Sequence, residues 1–428
     1  MAKTTDIGLR NCMIYCVFVR NYGRVGNFQE VKKDLARIQD LGTDIIWFLP
    51  IHPIGQIGRK GMLGSPYAVR DYRAINPEYG TLNDFQQIVD EIHERGMKCM
   101  IDIVFDHTAK DSEMLRNHPQ WFVQNSDGEP ISRNPEWTDV VELDFSNLEL
   151  WDELIEILKF WAGYVDGFRC NRAYAIPLEF WMRARKEVES VRKECIWLAQ
   201  SGEGEDIMTL RAKGQTALSD GELYEVFDMC FDYDLAHSIR GLHEGRFPLD
   251  AVTNPLQMQE SKYPNNYVKL HALEDHDRPR AAFNYPDRRV LENMTAFSFF
   301  AKGAVMISNG QEKSDPHRPS LFDKDDVSWR HNDMSAFIKQ LKRIKSEEIF
   351  REGSFFVKAV KKEYIYATYE QGNKRCLGVF SIMGRIGTIP TTLEDGTYIN
   401  RISRRSVEVC AGQLLFEGEP IIIDYQIG

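Results

Sequence analysis

The sequence lacks the marks of an exported or membrane-embedded chain. Its first six residues, Met-Ala-Lys-Thr-Thr-Asp, open no apolar h-region, which predicts no secretory signal. No uncharged apolar run reaches the ~18 residues that a membrane helix needs. Basic residues are in deficit: 53 Lys and Arg against 64 Asp and Glu leave a net charge of −11. That balance argues against nucleic acid or an anionic membrane as the main partner, and it suits a neutral ligand. The eight cysteines form no Cys-x-x-Cys pattern, so neither a redox pair nor a metal knuckle is indicated. Several of them (Cys99, Cys170, Cys195) fall inside strand-like runs, and buried free thiols in a reducing cytoplasm are the expectation. No Gly-x-Gly-x-x-Gly opens a helix, which counts against a doubly wound dinucleotide-binding sheet. Internal repeats and low-complexity segments are also missing.

The chain does have enough apolar residues for a large core. Its 428 residues are 43% hydrophobic, which fits one large domain with one or two smaller ones. Helix and strand alternate through the first part. Met13–Val19 reads as a first strand. Asn27 with Glu30 opens a helix whose apolar face is Val31, Leu35, Ile38 and Leu41, ended by Gly42. Asp44–Leu49 is a strand, a helix follows Gly80-Thr81, and Met97–Phe105 is a strand again. Further strands are expected at Val165–Cys170, Cys195–Ala199, Met229–Phe231, Tyr267–Ala272 and Ala304–Ser308. Near-continuous apolar strands between amphipathic helices imply a parallel sheet covered by helices, and eight such units imply a (β/α)₈ TIM barrel. A doubly wound open sheet is the alternative.

Residues 107–147 break the rhythm and read as a short inserted subdomain after strand three. From about residue 346 the pattern turns to alternating runs with Gly and Asn turns, which predicts a C-terminal antiparallel β-sandwich. The expected division is therefore a barrel over 1–106 and 148–345, an insert over 107–147, and a C-terminal domain over 346–428.

Polar residues gather at the expected strand ends, where a barrel carries its site. Strand three ends in Asp102-x-x-x-Asp106-His107, and strand four in Gly167-x-Arg169-x-Asn171. Strand five ends in Gln200, and strand seven is followed by Glu274-Asp275-His276-Asp277. Upstream stands Gly64-Ser65-Pro66-Tyr67. Four motifs in this order resemble the α-amylase superfamily of retaining glycoside hydrolases, across nearly the whole chain.

The resemblance implies a barrel, an insert after strand three, a C-terminal β-sandwich, and α-glucan or malto-oligosaccharide as ligand. It places the nucleophile at Asn171, the acid/base at Gln200 and the transition-state stabiliser at Asp277. It implies sugar contacts from Tyr67, Asp102, His107, Arg169 and His276. Two of the three carboxylates are thus amides. An amide oxygen forms no stable glycosyl ester, and an amide nitrogen is no acid near neutral pH. General acid–base help alone is worth about 10²–10⁴ in rate. The expectation is a sugar-binding protein whose hydrolysis is lost or severely impaired.

Asp106 and Asp275 stand where relatives usually have Asn, each adjoining a retained histidine, and Arg172-Ala173-Tyr174 follows Asn171 where smaller or apolar residues are commoner. An engineer trapping substrate would not need those changes, so natural divergence is favoured over mutation in the laboratory. The two extra acids suggest a relocated acid/base pair or a cation site. Asp106 is then the candidate ligand for a Ca²⁺ ion, and no cofactor is required otherwise. Two readings compete with sugar binding: an active retaining glycosidase or transglycosylase, either captured as an engineered inactive mutant or using relocated carboxylates, and a protein-interaction scaffold with a protein partner.

Overall fold

The computed structural model describes residues 4–427, so the reading of residues 1–3 lies outside the described residues. Eight parallel strands close into a barrel: β1 (Met13–Val17), β2 (Ile45–Phe48), β3 (Lys98–Val104), β4 (Gly167–Asn171), β5 (Ile196–Ala199), β6 (Met229–Phe231), β7 (Lys269–Ala272) and β8 (Ala304–Ser308). They follow one another around the barrel in chain order. The eight apolar runs of the sequence are these eight strands, with ends shifted by a residue or two. The described residues include no helix long and apolar enough to cross a membrane.

Two compact units divide the chain. One contains Ile14–Phe231 and Arg318–Ser328, and the other contains Thr5–Met13, Asp232–His317 and the segment from Trp329 onward.

In the first unit, β3 and β4 pair in parallel with Asp102 opposite Arg169 and Val104 opposite Asn171. That register sets the strand-end motifs side by side. A Cβ on Gly167 would sit 2.6 Å from the Ile196 carbonyl, so glycine is what lets β4 approach β5. At the opposite ends of these strands, Asp166 and Asp228 accept the N–H groups of Cys99 and Trp197 and fix the starts of β3 and β5. Phe28, Phe48, Tyr79, Phe85 and Trp161 pack edge to face as an aromatic core beneath the helices.

The Asn27 cap forms as expected, accepting from the Glu30 N–H. The helix it opens is split at Asp34, Phe28–Lys33 then Leu35–Asp40, and the Asp34 carboxylate accepts from Arg37 Nε. Thr81 and Asp84 make a full capping box for the helix Leu82–Glu94. The inserted segment is anchored by a two-stranded sheet, His107–Ala109 against Val140–Glu142, in which His107 faces Glu142.

In the second unit, two four-stranded antiparallel sheets form a C-terminal sandwich. One orders β9 (Ser354–Val360), β10 (Tyr364–Gln371), β11 (Lys374–Phe380) and β16 (Ile421–Gln426). The other contains β12 (Gly387–Pro390), β13 (Gly396–Ile399), β14 (Ser406–Cys410) and β15 (Gln413–Phe416), in the order β12-β15-β14-β13. Tyr364, Leu377, Val379, Leu414, Phe416 and Ile423 fill the space between the sheets.

Candidate active site

Arg169 is the centre of the site in the first unit. Burying a guanidinium needs compensation, and this one finds it at both Nη atoms and over its face. Its Nη1 lies 3.0 Å from both oxygens of Asp102, a carboxylate with no exposed surface. Its face lies over Trp47 at 5.2 Å and Phe231 at 5.6 Å. Tyr67 donates its hydroxyl to the second Asp102 oxygen at 2.9 Å. The buried Asp102–Arg169 pair is thus closed, charge against charge, and Tyr67 is tied to it.

The same guanidinium also holds the two amides. Nη1 donates to Asn171 Oδ1 at 2.9 Å, and Nη2 donates to Gln200 Oε1 at 2.8 Å. The positions inferred for nucleophile and acid/base are therefore brought together on one cation. Gln200 Oε1 also accepts the backbone N–H of Arg172 at 3.0 Å. Asn171 Nδ2 donates to Asp106 Oδ1 at 3.3 Å. Arginine only donates and a carboxylate only accepts, so these partners fix which end of each amide is oxygen.

Asp106 is ionised and enclosed. His107 Nδ1 and Arg172 Nε each lie 2.9 Å from its Oδ2. Burial acts to raise its pKa, but His107, Arg172 and Asn171 outweigh burial and hold it below the ordinary carboxylate value. Arg172 has a left-handed backbone, φ 43, a conformation that costs a non-glycine residue about 1–2 kcal/mol. The ion pair and the N–H bond to Gln200 offset that cost. The guanidinium of Arg172 also lies 4.9 Å over the Trp137 ring and 5.3 Å over Tyr174, and the ring of His107 packs on Trp137.

A cavity of about 780 Å³ opens on this cluster, lined among others by Asp106, Trp137, Arg172, Tyr174, Asp206 and Lys213. Its outer wall includes the helix Gly204–Ala212, which has no buried residue of its own. Asp206 on that helix has its pKa raised, first by burial and then by Glu203, against the pull of Arg172.

Arg172, Trp137, Tyr174 and Asp206 were not among the sequence candidates. Trp137 could have been suspected from its place in an aperiodic insert. The pairing of Arg172 with Asp106 is invisible without the β3–β4 register, because Asp106 lies 66 residues earlier, in the bend that follows β3.

In the second unit the β7 motif forms its own network. Asp275 Oδ1 accepts the N–H groups of Asp277 and Arg278, both at 2.9 Å, and Arg278 Nε lies 3.4 Å from its Oδ2. Asp275 holds a turn; it is not the free acid expected of a relocated acid/base pair. His276 Nε2 lies 3.3 Å from Asp277 Oδ2, and the Asp277 side chain is 62% exposed.

A calcium ion does not fit Asp106. A hard cation needs several oxygen ligands, whereas this carboxylate faces a guanidinium, an imidazole and an amide N–H. Among the described residues, no group of three or more His, Cys, Asp or Glu is placed to hold a metal.

Comparison with known proteins adds to this geometry. Residues 15–128 match the family described as alpha amylase, catalytic domain, and 356–423 match the bacterial alpha amylase C-terminal domain. An α-amylase structure from Lactobacillus plantarum is 42% identical, with a TM-score of 0.96, over 98% of this chain and 100% of that one. The noncanonic maltogenic α-amylase AmyB from Thermotoga neapolitana is 30% identical, with a TM-score of 0.87, over 98% and 100%. The α-1,4-glucan:maltose-1-phosphate maltosyltransferase of Rhodospirillum rubrum is 34% identical over 212 residues, 45% of this chain and 31% of that protein. The chain thus spans about a third of the length of such curated relatives. Whole-length identity of 42% to an α-amylase, together with the catalytic-domain match, means that the chain belongs to the α-amylase superfamily.

Proposed function

We propose that this α-amylase-family protein binds α-glucan or malto-oligosaccharide without cleaving it. One observation carries the reading: a single buried guanidinium holds two amide oxygens, at 171 and 200, where the family chemistry needs two carboxylates. A retaining mechanism needs a nucleophile and an acid about 5–5.5 Å apart, and Asn171 and Gln200 supply neither. Asp277 remains, yet one carboxylate and positioning fall far short of the acceleration that glycoside cleavage demands, typically towards ~10¹⁷.

Binding is favoured by what surrounds the amides. Each amide has the shape of the acid it replaces and still offers hydrogen bonds to hydroxyls. The neighbouring cavity presents Trp137 and Tyr174 beside charged groups, a mixture suited to a polyhydroxylated ligand. The names of the relatives, a maltosyltransferase acting with α-1,4-glucan and a maltogenic amylase, point to the same ligand class. Cytoplasmic location is part of the proposal, since the thiols of Cys99, Cys170, Cys195 and Cys376 are buried and form no disulfide.

Isothermal calorimetry with maltoheptaose, paired with a reducing-end assay, tests this. Binding heat without release of reducing ends is expected. Release above a buffer blank would overturn the loss of hydrolysis. No heat at millimolar sugar would overturn binding and favour the interaction-scaffold reading.

A further inference from the structure

The two amides are not equivalent. Asn171 meets opposite demands at its two ends: Arg169 can only donate to it, and the ionised Asp106 can only accept from it. Only an amide satisfies both. A carboxylate at this position would satisfy Arg169 and set two like charges across the 3.3 Å that now carry a hydrogen bond. Gln200 is different. Both donors that reach it, from Arg169 and from the backbone of Arg172, meet the same oxygen, and a carboxylate would accept both.

Asp106 is held in place from several elements. His107 and Arg172 touch it. Tyr72 and Tyr174 lie within electrostatic reach of it. The closed Asp102–Arg169 pair stands behind Asn171. Glu142 and Asp206 lie within electrostatic reach of its partner Arg172.

We infer that Asp106 is a positioning residue that requires the amide at 171, so that an acid cannot be restored at the nucleophile position unless Asp106 is changed with it. The inference rests on the proposed loss of hydrolysis for its activity arm alone. Its stability arm uses no sugar and stands without that reading.

The stability arm compares the unfolding midpoints of Asn171→Asp and Asn171→Asp/Asp106→Asn between pH 5 and pH 8. In the single variant one of the two facing carboxyls keeps its proton in the folded state, so its folded pKa lies above its unfolded value. Stability relative to the double variant is then greatest in acid and falls as pH rises through that folded pKa. A merely structural role would lower the midpoint equally at every pH. Identical pH profiles for the two proteins would overturn the inference. A single variant that folds at pH 5 and not at pH 8, beside a double variant that folds at both, would support it. Failure of both to fold at either pH would overturn it.

The activity arm measures reducing ends from maltoheptaose. Asn171→Asp/Gln200→Glu is expected to stay near the blank. Adding Asp106→Asn is expected to raise the rate by about 10²-fold or more. Equal activity with and without Asp106→Asn would overturn the inference. Wild-type protein that gives no heat with maltoheptaose would remove sugar binding and leave the stability comparison intact.

Discussion

The Nε of Arg172 lies 2.9 Å from the carboxylate of Asp106, joining two charged residues that stand 66 positions apart in the chain. The two charges stand beside a pair of amides, and they cancel. The site therefore has a second ion pair, Asp106–Arg172, next to the buried pair Asp102–Arg169. Asn171 is bonded to one member of each pair, Arg169 and Asp106.

Arg172→Ala should lower stability at neutral pH by about 1–3 kcal/mol, the range for breaking a partly buried pair. The Arg172 side chain is 27% exposed, which keeps the value below that of a fully buried pair. The sign with pH follows from Asp106, whose folded pKa is depressed in the wild type. Its contribution is present above the unfolded value and is lost as pH falls through the folded one. The gap between wild type and variant should be widest near pH 7 and close below about pH 4, read by thermal melts. Arg172→Gly should be less damaging than Arg172→Ala by about 1 kcal/mol, because glycine adopts φ 43 without strain. Equal midpoints for the two would contradict that account of the backbone.

Asp102 and Tyr67 should separate cleanly in stability. Asp102→Ala strands the Arg169 guanidinium in the barrel, and a loss of about 3–5 kcal/mol is expected in chemical denaturation. Tyr67→Phe removes one hydrogen bond to a carboxylate that keeps its cation, and about 1 kcal/mol is expected. A Tyr67→Phe loss as large as that of Asp102→Ala would mean that the hydroxyl is what holds Asp102.

Trp137 should matter to the ligand more than to the fold. It is partly exposed, lies at the cavity wall, and is covered on one side by Arg172 and His107. Trp137→Ala should weaken maltoheptaose binding by about tenfold, the effect of losing an aromatic contact of ~1–1.5 kcal/mol, with little change in melting midpoint. Calorimetry on the variant checks this, and unchanged affinity would place the sugar elsewhere.

The barrel was legible because each of its strands is a short apolar run, and burial on both faces writes itself into composition. The second sheet of the sandwich was not. β12 and β13 are four-residue strands that are mostly exposed, so alternation has no length in which to show. The helix Gly204–Ala212 buries nothing and so carries no apolar stripe to read. The motif residues Asp102, Arg169, Asn171 and Gln200 were found from their places at strand ends, yet their partners were not. Which atom of Asn171 meets Asp106, and that Arg172 closes on the same carboxylate, depend on the register of β3 against β4. Asp275 shows the converse: its type and its histidine neighbour suggested chemistry, while its Oδ1 is taken up by a turn and its Oδ2 lies beside Arg278.

Lys345 offers a test of the second unit that is independent of the sugar site. Its amine is buried on the helix Ser335–Lys345 and donates only to main-chain oxygens, Phe299 at 2.9 Å and Ala301 at 3.1 Å. Burial pushes its pKa down to about 7, with Lys342 adding to the effect. Below that pH the amine is charged in both the folded and unfolded chain. Between about 7 and the ordinary value of 10.5, the unfolded chain holds a proton that the folded chain has released. Stability should therefore rise with pH across that interval, the slope following the difference in bound protons. Lys345→Met keeps the length of the side chain and removes the titration, so its unfolding midpoint should lose this rise. Melting curves of both proteins from pH 6.5 to pH 10 make the comparison, and parallel slopes would show that Lys345 stays charged in the folded protein despite its burial.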